Sequence, residues 1–171
     1  VKYQRIPVTD TKKPEDRDLD ELVKSLKNTD PDSPLIFNCH AGQGRTTTAM
    51  VASSMLRKAE RGDTTSVLKD DTLREDIKEQ GKHNPKNYRD ILRTVKDSEK
   101  MLGSQEEADK VIERYGDVHN LKESISKARK TANEAVDPAE RKEAARHAQD
   151  YLDRYHTILS FEQYAQEQAP N

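Results

Sequence analysis

Residues 35 to 50, LIFNCHAGQGRTTTAM, constrain this chain more than any other stretch. An apolar run, Leu35-Ile36-Phe37, leads into the chain's single cysteine, Cys39; Gly42, Gly44 and Arg45 follow closely, and a helix-compatible run begins at Thr46. That order predicts a strand over 34–38, a tight loop, and a helix from about Thr46 to Lys58. The thiol would then sit at a strand-to-helix junction. Such a junction suits an anion, because the glycines let successive N–H groups turn inward while the helix adds the positive end of its dipole.

The residue types around the loop fit the chemistry of a phosphate. Arg45 lies six residues after Cys39, so the loop can curl its guanidinium back across the ring, where the planar fork grips two phosphate oxygens. The same positive features lower the thiol pKa, and thiolate is the reactive form. Cys39 is therefore the expected nucleophile, attacking phosphorus in line to give a phosphocysteine that water hydrolyses. Thr46 is placed to hydrogen-bond the sulfur and assist its departure. An alkyl alcohol also needs a proton to leave, and Asp10 is the candidate acid, in a polar loop just after a short predicted strand, YQRIPV at 3–8. A turn or cap aspartate is the commoner use of that residue type. His40, Ala41, Gly42, Gln43, Gly44 and Arg45 are the expected substrate-binding loop, although His40 and Gln43 suit a solvated surface equally well. Lys12 and Lys13 are candidates for peripheral phosphates, and surface solubility explains them as readily. His119, His147 and His156 lack zinc-ligand spacing, and the reaction expected of the loop calls for no metal or cofactor.

The rest of the chain reads as helix. Leu19, Leu22, Val23 and Leu26 recur at amphipathic spacing after Asp16 and Asp18, and helices are expected near 67–79, 86–101, 104–115, 119–135 and 138–167. The last opens on Asp137-Pro138, a cap followed by proline at the first helical position. Its short link to 119–135 predicts an antiparallel helical pair. Charged residues make up 36% of the 171 positions and the hydrophobic set only 32%, so much solvated helical surface is expected around one core, in a single domain with 1–63 carrying the loops and 64–171 helical. The 30 basic and 32 acidic residues are interleaved, which argues against a nucleic-acid footprint. No apolar run approaches the roughly 18 to 20 residues of a membrane helix. One cysteine allows no internal disulfide, and the opening VKYQRIPV, without an initiator methionine, reads as a cut or processed piece.

CHAGQGRTT matches the cysteine-phosphatase signature, and YQRIPVTDTKKP with FNCHAGQGRTTTAMV resembles its phytase-like branch, which takes in bacterial inositol polyphosphate phosphatases and the paladin repeats. Weaker similarity continues through QGKHNPKNYRDIL, ERYGDVHNLKESI and LDRYHTILSFEQYA. The resemblance implies an α/β fold, a protein-tyrosine-phosphatase-like sheet flanked by helices with a predominantly helical C-terminal half. It also implies Asp10 as general acid and inositol polyphosphates as substrates. Asn38 stands where histidine commonly precedes the nucleophile, which shifts thiolate stabilisation onto the loop amides and Arg45. The family's elements ahead of the acid loop are absent, so the sheet is expected to be truncated at its N-terminus and completed by an upstream segment or a partner chain. The other class of answer is a noncatalytic module whose loop senses phosphate while the charged helices bind protein; a phosphotyrosine or phosphoinositide would fit the same loop.

Overall fold

The computed structural model describes residues 2–62 and 99–169. Five helices lie among them: α1 (Asp16–Lys27), α2 (Gly44–Glu60), α3 (Glu99–Arg114), α4 (Leu121–Glu134) and α5 (Pro138–Glu167). The predicted helix at 67–79 and most of that at 86–101 fall outside the described residues.

Three of these helices, α1, α4 and α5, start where the sequence supplies a cap. Asp18 Oδ2 accepts from Glu15 N at 2.9 Å at the head of α1, Asn120 Oδ1 accepts from Glu123 N at 3.0 Å at the head of α4, and the Asp137 carboxylate takes Ala139 N and Glu140 N at 3.3 and 3.4 Å at the head of α5. These bonds satisfy donors that have no partner within the helix. α4 and α5 form the expected antiparallel pair, and α5 also packs on α2 and α3. One apolar core joins all five helices, running from Leu22 and Leu26 through Val51, Met55 and Leu56 to Val111, Ile112, Leu121, Ile125, Leu152, Ile158 and Phe161. Tyr155 enters this core with its hydroxyl donating to Asp109 at 2.7 Å, so its polar end is not stranded there.

Two expectations need correction. Among the described residues there is no strand and no sheet, so the α/β fold with a protein-tyrosine-phosphatase-like sheet is not the architecture seen. The alternation that suggested strands is real: Leu35 and Phe37 lean on the helical core while Ile36 between them is 89% exposed, and Ile6 also packs inward. Extension alone does not make a strand, which needs a second backbone about 4.8 Å away to take up its N–H and C=O groups. Segments 2–8 and 34–38 instead face an open cleft of about 1360 Å³, and the backbone bond in the first is local, Val8 N to Ile6 O at 3.0 Å. The second correction concerns 102–103, expected to separate helices at 86–101 and 104–115, which lies inside the continuous helix α3.

Candidate phosphate-binding site

The site is built where 34–38 turns into α2. Gly42 takes a φ of 71°, left-handed backbone that a side chain would strain, and it turns the loop. α2 begins at Gly44, two residues earlier than the expected Thr46. Its first turn is thus part of the loop, with Thr47 N reaching back to Gln43 O at 2.8 Å.

Cys39 is half-buried at the base of the loop, and the Thr46 hydroxyl donates to its sulfur at 3.1 Å. Burial pushes the thiol pKa up, but the Thr46 hydroxyl and the backbone N–H groups of Thr46, Gly42 and Gln43 outweigh it and bring the value down to about 7. Peptide donors, not carbonyls, face the sulfur. Near neutrality about half of the thiol is therefore ionised. Thr46→Ala removes the largest lowering contribution, so the midpoint of Cys39 alkylation by iodoacetamide against pH is expected to move up from about 7. An unmoved midpoint would mean the hydroxyl does not support the thiolate.

Arg45, largely buried, turns its Nε to within 3.3 Å of Asp10 Oδ1. The pair is an electrostatic contact without the alignment of a directed hydrogen bond, since that Nε has no hydrogen-bond partner. Asp10 projects from a tight turn closed by Lys12 N to Thr9 O at 3.3 Å, with its Oδ1 also accepting Thr11 N at 3.0 Å. Thr11 carries a φ of 63°, a left-handed torsion rare outside glycine and costing on the order of 1 kcal/mol or more. The turn is held by more than its own preference: Lys12 Nζ binds Asp150 Oδ1 on α5 at 2.7 Å. The structure therefore groups Cys39, Arg45, Thr46 and Asp10. His40 and Gln43 are exposed on the loop, and so is Ala41, while Gly42 and Gly44 are half-buried. Lys12 is engaged by α5, and Lys13 lines a separate cavity between α1 and α5.

Sequence reasoning passed over one residue of this neighbourhood. Arg154 of α5 is only 3% exposed, and its guanidinium lies so close to the loop that a Cβ on Gly44 would stand 2.8 Å from Nη1. A side chain at position 44 would therefore displace this guanidinium from the loop. The available signal was an arginine inside the apolar stripe Leu152, Tyr155, Ile158.

The sequence profile of the family described as PTP-like phytase, inositol hexakisphosphate, matches residues 1–57, which include both the Asp10 turn and the cysteine loop. Paladin of Xenopus tropicalis is 28% identical across 80% of this chain, and paladin of Homo sapiens 27% identical across 95%. The chain thus resembles the phytase-like, paladin-like family, most directly over the segment that carries both loops. The family is phosphatase-related. An effector protein, hopD2 of Pseudomonas syringae pv. tomato, is 38% identical over 33% of the chain and 12% of its own length. The matched regions cover 14% of the Xenopus paladin and 19% of the human one, so the chain spans less than a fifth of those relatives. No solved structure matches it.

Proposed function

We propose that this protein hydrolyses phosphate monoesters with Cys39 as nucleophile, and that inositol polyphosphates are its substrate class. The observation that carries the reading is the thiol lowered to about 7 by Thr46 and the loop amides, because an anion-stabilising ring around sulfur also stabilises a transferring phosphoryl group. The description of the matching family, inositol hexakisphosphate, supports the substrate class.

In the first step the Cys39 thiolate attacks phosphorus while the ester P–O bond breaks, and Asp10 passes its proton to the leaving oxygen. Arg45 and the loop N–H groups hold the charge spread over the equatorial oxygens. Water then attacks the phosphocysteine, giving up a proton to the Asp10 carboxylate, and the S–P bond breaks. Sulfur leaves as thiolate, with the Thr46 hydroxyl already donating to it at 3.1 Å. The products are the alcohol and inorganic phosphate, and the enzyme returns to its starting protonation.

Asp10→Asn tests this assignment through the leaving group. Turnover of inositol hexakisphosphate is expected to fall by roughly 10²- to 10⁴-fold, while p-nitrophenyl phosphate, whose phenolate departs without a proton, loses far less. Equal losses on both substrates would remove Asp10 from the acid role. An inert wild-type chain that still binds inorganic phosphate would favour a phosphate-sensing module instead.

A further inference from the structure

Arg154 is a buried charge for which the described residues offer no adjacent counter-ion. It is 3% exposed, yet no carboxylate among them lies within ion-pair distance of it. Tyr151 lies against the guanidinium, 5.8 Å from carbon to ring centroid. Burial pulls its pKa below the ordinary arginine value; Tyr151, Asp150 and Asp10 favour its charge from a distance and Arg45 opposes it. Arginine nonetheless stays protonated at neutral pH. A buried cation without a paired anion is costly unless the site is completed by one. The guanidinium faces Gly44, the first residue of α2, where the helix already presents its positive end. Two arginines and a helix N-terminus thus converge on one loop.

We propose that Arg154 is a positioning residue of the phosphate site, reaching the loop from α5 so that a phosphate dianion in the cysteine loop is its counter-ion. The proposal rests on the phosphate-binding reading given above. It makes α5 part of the site: Asp150 holds the acid turn through Lys12, and one helical turn later Arg154 backs the loop. The two contacts set the distance between Asp10 and Cys39 from a single rigid element.

The test uses the full chain with inorganic phosphate as probe, reading the rise in thermal midpoint on saturation together with KM and kcat for p-nitrophenyl phosphate. Arg154→Met keeps the stem and removes the charge. Its phosphate-free chain is expected to melt no lower than wild type, its phosphate affinity to fall at least about tenfold, as for a unit charge lost near a dianion, and its KM to rise more than its kcat falls. Arg154→Lys is expected to regain most of that affinity. A Met variant that binds phosphate as wild type does, or that melts lower while keeping its phosphate shift, overturns the proposal and makes Arg154 a packing residue. If the Met variant does not fold, the Lys variant decides: retained affinity supports the counter-ion role, and affinity lost in a folded Lys variant overturns it. Arg45→Ala separates the levels. A wild type without a phosphate response, no different from Arg45→Ala, fails the phosphate-site reading itself, whereas a response lost in Arg45→Ala and kept in Arg154→Met fails this inference alone.

Discussion

Under the proposed mechanism, Cys39→Ser is expected to lower phosphate release from inositol hexakisphosphate by about 10⁴-fold or more, while inorganic phosphate still binds. The size follows from the chemistry at one atom. The sulfur ionises near pH 7 because Thr46 and three loop N–H groups support its charge; a serine hydroxyl in the same ring remains protonated and is a far poorer nucleophile. Binding survives because the ring of donors is untouched, and it tightens where loss of the thiolate removes a negative charge from the floor of the site. Single-turnover release and a phosphate-dependent thermal shift, measured on the same preparation, read the two effects separately. A serine variant that keeps more than a hundredth of wild-type activity would place the nucleophile elsewhere.

The second large effect concerns stability and arises far from the loop. Glu162 of α5 is 4% exposed, and burial raises its pKa from 4.5 to about 7, with a hydrogen bond from Gln166 opposing, the negative charge of Glu107 adding to the rise and Lys58 again opposing. Its Oε2 is buried without a hydrogen-bond partner. The folded chain holds this proton more tightly than the unfolded one. The stability contributed by this group is therefore fully present below about 4.5, falls as pH rises toward about 7, and is lost above it. Glu162→Gln removes the dependence, so the variant is expected to match wild type near pH 4.5 and to exceed it at pH 8 by on the order of 3 kcal/mol. Denaturant titrations at the two pH values check this. A variant that gains nothing at pH 8 would show that the carboxylate is stabilised by its surroundings after all.

Helices were the legible part of the fold, because the stripe of Leu22 and Leu26, or of Leu152, Tyr155 and Ile158, and the cap at Asp137 are local signals that the packed structure reuses unchanged. The sheet was not legible. Leu35, Ile36 and Phe37 do alternate inward and outward, but pairing is a property of a second backbone, and nothing in so short a segment says whether that partner is near. At the site, the approach of Thr46 to Cys39 followed from their spacing around a tight loop. Helix α2 begins earlier than expected, at Gly44, although glycine is a poor helix former in isolation, and the Arg154 guanidinium lies alongside that first residue. Arg154 itself was hidden by distance along the chain, 110 positions beyond Gly44.

The bond from Lys12 to Asp150 joins residues 138 positions apart. Synthesis delivers the Asp10 turn and the cysteine loop long before the helix that anchors them has left the ribosome. A nascent chain thus exposes the Cys39 thiol well before the Asp10 turn is anchored, and the proposed site is complete only once α5 has emerged.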